Sequence, residues 1–210
     1  MLNIVKMVQV LKYKFSEEDG KQKLAVMLSI LEPAIVNDEN VTIAVHLDLV
    51  EIIQDFMLLT LEEFENRALK KADTPKATKS TKGAKGAKAA EPEPPVIDTG
   101  NSAPLYLKLL IRCLTSCLRL EVGVQRYVKV PKNISDLSKL MSILKDEESI
   151  ANGCKCIRIS LRDERNLQAI SVHSDGELVN ELIDLIGKHK ESEYVLQEAS
   201  SVSYSESSTL

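Results

Sequence analysis

Shifted against itself by 42 residues, the chain repeats its apolar pattern in two separate places. In its later part the shift pairs Val128 with Ile170, Leu137 with Val179, Leu140 with Leu182, Met141 with Ile183, Ile143 with Leu185 and Leu144 with Ile186. The positions between them stay polar, Ser138 meeting Asn180, Lys139 meeting Glu181 and Ser142 meeting Asp184. Near the start the same shift pairs Met7 with Leu49, Val8 with Val50, Val10 with Ile52 and Leu11 with Ile53, around polar Gln9 and Glu51. Two amphipathic helices can always be aligned at some shift. One shift recurring on both sides of a long polar stretch is harder to obtain by chance. A period of this length suits a unit of two or three helices that buries its apolar side only against the next unit.

The polar stretch runs over residues 70–100, where Lys recurs at 76, 79, 82, 85 and 88 among Ala, Thr, Ser and Gly before Glu91-Pro-Glu-Pro-Pro95. So little apolar surface cannot offset the entropy of ordering, which predicts a disordered linker. It separates a helical segment, 1–69, from a second, 101–205, and residues 206–210 are expected to fray. In the second segment the spacing predicts helices over Leu105–Leu120 with Gly123 as a stop, from a cap at Ser135 or Asp136 to Leu144, and over Glu148–Leu161, Glu177–Ile186 and Val195–Tyr204. With no Trp and 4% aromatic residues, the core must be Leu, Ile, Val, Ala and Cys, which suits closely packed helices. No apolar run reaches the roughly 18 residues of a membrane span, and Lys6, Lys12 and Lys14 interrupt the first apolar stretch, so neither membrane insertion nor a signal peptide is expected.

The order Leu161-Arg-Asp-Glu-Arg-Asn166-Leu-Gln-Ala169-Ile170, then Gly176, then Leu178-Val-Asn-Glu-Leu182-Ile-Asp-Leu-Ile186 resembles the most recognisable part of an armadillo repeat. Val124, Tyr127 and Val128 leading into Ile134 and Leu137–Leu144 follow the pattern without its Asn and Gly, and Asn40–Ala44 with Leu47–Ile53 is a looser match. The resemblance implies an all-α, armadillo/HEAT-like helical repeat solenoid interrupted by a disordered linker, with HEAT-type pairing the nearest alternative. Such a solenoid would bind proteins along its third helices. Clamping of extended peptides by Asn and Trp arrays is not implied, because Trp is absent and Ile159 and Ser160 stand about where such an Asn would be. Met1 leading straight into a second-type helix suggests a piece or short form of a longer solenoid protein.

If Ile150, Cys154, Ile157 and Leu161 face the core, Lys155, Arg158 and Arg162 share an opposite stripe, and Lys108, Arg112 and Arg119 do so one repeat earlier. Stacking would join them into a basic strip, either an ordinary solvated face or a groove for an acidic segment of a partner protein. Cys113-x3-Cys117 and Cys154-x-Cys156 are poorly spaced for zinc, since helical positions two apart point far around from each other, so buried thiols, no metal and no cofactor are expected. His46, placed at the start of an apolar helix, His173 and His189 lack neighbours at triad or ligand spacing, so no catalytic role is expected. The linker lysines could contact an acidic surface such as a microtubule or serve nuclear import. Without interleaved aromatics they argue against nucleic acid. The cytoplasm is the expected compartment, with cytoskeletal, ciliary or nuclear sites compatible. Two rival readings stay open: a small α/β regulatory or enzyme subunit with a strand hairpin at 154–172, and weak polyanion or nucleic-acid binding through the linker.

Overall fold

Apolar residues spaced three and four apart become helices, and the helices interlock by their buried faces. The computed structural model describes residues 1–17, 19–72, 103–166, 168 and 177–207. These form α1 (Leu2–Leu11, continued by a 3-10 turn at Lys12–Lys14), α2 (Gly20–Ala34), α3 (Asp38–His46), α4 (Leu49–Ala72), α5 (Leu105–Leu118), α6 (Glu121–Val128), α7 (Lys132–Ile143), α8 (Glu147–Ser160), α9 (Glu177–Lys188) and α10 (Glu193–Ser207). Among the described residues there is no strand. None of their helices is long and apolar enough to cross a membrane.

The strand alternative at 154–161 is therefore overturned, because those residues complete α8 and its C-cap. Cys154, Cys156, Ile157, Ser160 and Leu161 are all buried, so the helix is enclosed on more than one side and its apolar residues mimic alternation. The other half of that hairpin lies outside the described residues, apart from 168, which is helical. Two boundaries also change. Ser135 and Asp136 sit inside α7, whose N-cap is Pro131, since Pro suits the start of a helix where no N–H donor is needed. Gly123 does not stop α5; it lies within α6, where an added Cβ would meet the Cys117 carbonyl oxygen at 2.0 Å. Helix α2, given no assignment from sequence, is carried by buried Leu24, Leu28 and Leu31.

Packing follows three ladders. Helix α2 packs on α5, α5 on α8 and α8 on α10; α1 packs on α4, α4 on α7 and α7 on α9; α3 packs on α6. Side chains that touch between ladder neighbours are about one sequence period apart, as in Lys12–Asp55, Thr115–Cys156 and Arg158–Glu198. Where residues 73–102 intervene, the separation widens to 73 for Gln54–Tyr127 and 83 for Arg119–Val36. The predicted linker lies outside the described residues except for the end of α4. Helices before and after it share one apolar core from Val5 to Ala199, and Phe15 meets Tyr106 edge-on at 5.6 Å between ring centroids.

One side-chain device recurs at the helix ends. The last carbonyls of a helix have no N–H partner inside it. Asn40 Nδ2 donates to the Ala34 carbonyl at 2.7 Å and Asn166 Nδ2 to the Ser160 carbonyl at 3.2 Å, each six residues back at the end of α2 or α8. Asn133 closes the end of α6 in the same way, donating to the Tyr127 carbonyl at 2.9 Å. The fully buried Tyr127 donates its hydroxyl back to the Asn133 carbonyl at 3.1 Å.

Candidate partner-binding surface

Helices α2, α5, α8 and α10 form the ladder that carries the predicted basic strip. On α5, Lys108 Nζ reaches Asp146 Oδ1 at 2.6 Å, and Asp146 is the N-cap of α8, accepting also from Ser149 N at 3.0 Å. Arg112 bonds Glu148 of α8 and stands 3.6 Å from Glu32 of α2, so one guanidinium links three helices of the ladder. The hydrogen bond to Glu148 holds it more firmly protonated than an ordinary arginine. Arg119 pairs with Asp38 at 3.0 Å and donates to the Val36 carbonyl at 2.7 Å. On α8, Arg158 Nε donates to Glu198 of α10 at 3.0 Å.

Four of the six strip cations thus bind carboxylates elsewhere in the chain, three of them carboxylates one ladder rung onward. That use was hidden in the sequence, where the acids lie 36 to 40 residues downstream. The half-buried Lys155 and the exposed Arg162 have no ion-pair partner among the described residues. Arg162 and Arg119 line one cleft of about 230 Å3 between the ends of α5 and α8 and the start of α6, beside Glu121, Asp163 and Asn166.

The same face holds an apolar groove that sequence reasoning missed. About 540 Å3 lies between α2, the second half of α4 and the start of α5, walled by Val26, Phe64, Pro104, Leu105 and Tyr106. Val26 is 55% exposed and Leu105 62%, although both are aliphatic. Leu105, Lys108 and Arg112 follow at spacings of three and four, which places groove and strip on one stripe of α5. At the rim Glu63 bonds both Lys21 and Arg67. The signal available in sequence was Pro104-Leu105-Tyr106, an apolar run starting directly at a helix N-terminus.

All four cysteines are free and buried. Burial pushes the Cys117, Cys154 and Cys156 thiols up to about 12, and Cys113 higher still. Such thiols stay protonated and are poor nucleophiles and poor metal ligands. No group of three potential metal ligands occurs among the described residues. His46 ends α3 instead of starting a helix, because Asp48 in the left-handed region (φ 61°) separates α3 from α4. His189 follows α9, its pKa lowered by burial, and His173 lies outside the described residues. In comparisons with known proteins, no family model, no curated protein and no solved structure matches the chain.

Proposed function

We propose that this chain is a non-catalytic scaffold, an armadillo-type repeat solenoid that holds an acidic segment of a partner protein along its third-helix face. The observation that carries the reading is the ladder α2–α5–α8–α10, which leaves one face bearing an apolar groove at one end and the Arg119–Arg162 cleft further on. The matching bonds of Asn40 and Asn166 support the repeat assignment, since both close the end of a third helix from the same place in the following one. An extended face of this kind suits a linear ligand better than a small substrate. The cytoplasm is the compartment this reading assigns.

Charge on the face divides into two kinds. Lys108, Arg112 and Arg158 stitch rungs together, so reversing Arg158 would place two carboxylates against each other and disturb the stack. Lys155 and Arg162 are the cations left to meet a ligand. The test is affinity capture by the intact chain and by a Lys155→Glu/Arg162→Glu variant whose helical spectrum and melting are unchanged. The variant is expected to lose the captured partner by about tenfold or more. Equal capture by both would remove the acidic-segment reading.

A further inference from the structure

Helices α1 and α2 flank a further open concavity of about 410 Å3, apart from the groove and the cleft described above. Its floor is Met7, Val10, Leu11 and Met27, and its rim is Lys6, Lys14 and Lys23. Met7 is 52% and Val10 58% exposed. Their counterparts one 42-residue period later, Leu49 and Ile52, are 0% and 4% exposed within the core. The chain therefore keeps apolar residues here at register positions that, one rung on, are covered by helices.

The rim is unbalanced. Lys23 pairs with Asp19, the N-cap of its own helix, whereas Lys6 and Lys14 form no ion pair among the described residues. A helix ridge seats in the groove between two packed helices, and carboxylates flanking that ridge would meet the spare ammonium groups. The concavity between α1 and α2 matches the shape of a protruding helix better than that of a flat lipid surface.

We propose that the α1–α2 groove docks an amphipathic helix of a partner protein, its apolar ridge on Met7, Val10, Leu11 and Met27 and its flanking carboxylates toward Lys6 and Lys14. The probe is a fluorescent synthetic helix of about 18 residues, or five turns, with a Leu ridge and Glu flanks, compared with its Lys-flanked analogue. The full-length chain is expected to prefer the acidic helix by at least about tenfold, and Val10→Glu to weaken it by a similar factor. Lys6→Glu/Lys14→Glu is expected to reverse the preference. All three substituted positions are exposed, so melting should be unchanged, and the Lys155→Glu/Arg162→Glu variant should bind the probe normally, which keeps this test separate from that of the third-helix face.

The proposal is overturned if neither helix binds, if both bind equally, or if Val10→Glu has no effect. It is equally overturned if the Val10-dependent ligand proves to be vesicles of phosphatidylcholine and phosphatidylserine, or a second copy of the chain in sedimentation velocity. Binding that requires deletion of residues 73–100 would mean that the chain fills its own groove, and would overturn it too.

Discussion

Asp146 shows how much one side chain contributes in this stack. Its carboxylate caps α8 through Ser149 and holds Lys108 from the neighbouring rung. Burial by itself would raise its pKa, but the Lys108 ammonium and the Ser149 donors outweigh that and leave it below 3.8. A carboxylate depressed by folding contributes stability that is present above its unfolded pKa and lost as pH falls through the folded one. Asp146→Asn keeps a capping oxygen for Ser149 and removes the charge together with the oxygen that accepts from Lys108. Melting at pH 7 should show the variant less stable by about 1 kcal/mol, the scale of a part-exposed pair, and the gap should close once pH has fallen through the lowered folded pKa. A gap that persists there would mean that charge is not what Asp146 supplies. Lys108 was readable as a cation on a polar stripe; its partner was not, because a stripe drawn on one helix says nothing of the acid brought to it by the next rung.

At the scale of elements, the α5–α6 connection depends on a close approach of backbones. A methyl group at position 123 would stand 2.0 Å from the Cys117 carbonyl oxygen and 2.7 Å from its carbon, atoms that no rotamer change can move aside. Gly123→Ala is therefore expected to cost about 1–3 kcal/mol, as overpacking does. Gly187→Ala in α9 meets nothing within 4 Å and should be neutral or stabilising by up to about 1 kcal/mol, since Ala is the better helix former. Urea midpoints at constant slope would check both, and a silent Gly123→Ala would refute the close approach. Helix existence was legible in the spacing of Leu107, Leu110, Ile111 and Leu114, all buried in α5. The role of Gly123 was not, because a glycine that ends a helix and one that lets two helices touch look the same in sequence. The helix over Glu148–Leu161 was legible too, as α8, although burial of Cys154, Cys156 and Ile157 among α5, α7 and α10 gave that stretch the alternation that kept a strand rival open.

At the scale of the molecule, the place of residues 73–100 matters more than their composition. They join α4 to α5, and those two helices pack on each other and on two common neighbours, α3 and α6. The sequence showed two helical stretches around a polar one; it did not show that they share a core, because contacts such as Gln54–Tyr127 and Arg119–Val36 join residues 73 and 83 positions apart. Across that division Arg126 binds Asp48 at 2.5 Å and Glu51 at 2.9 Å, and Phe15 packs on Tyr106. Leu24 and Leu28 of α2 and Leu107 and Leu110 of α5 are fully buried in the common core, and each such side chain stabilises by about 1.5–3 kcal/mol. Cutting the chain within residues 76–88, through a protease site placed there, should leave both pieces in one peak on gel filtration and one unfolding transition by circular dichroism. Tyr106→Ala, which removes the aromatic contact with Phe15, should make the cut pieces dissociate at lower urea while the uncut variant still folds. Separation of the wild-type pieces on cutting, with each retaining its own helical melt, would show two domains where the packing places one.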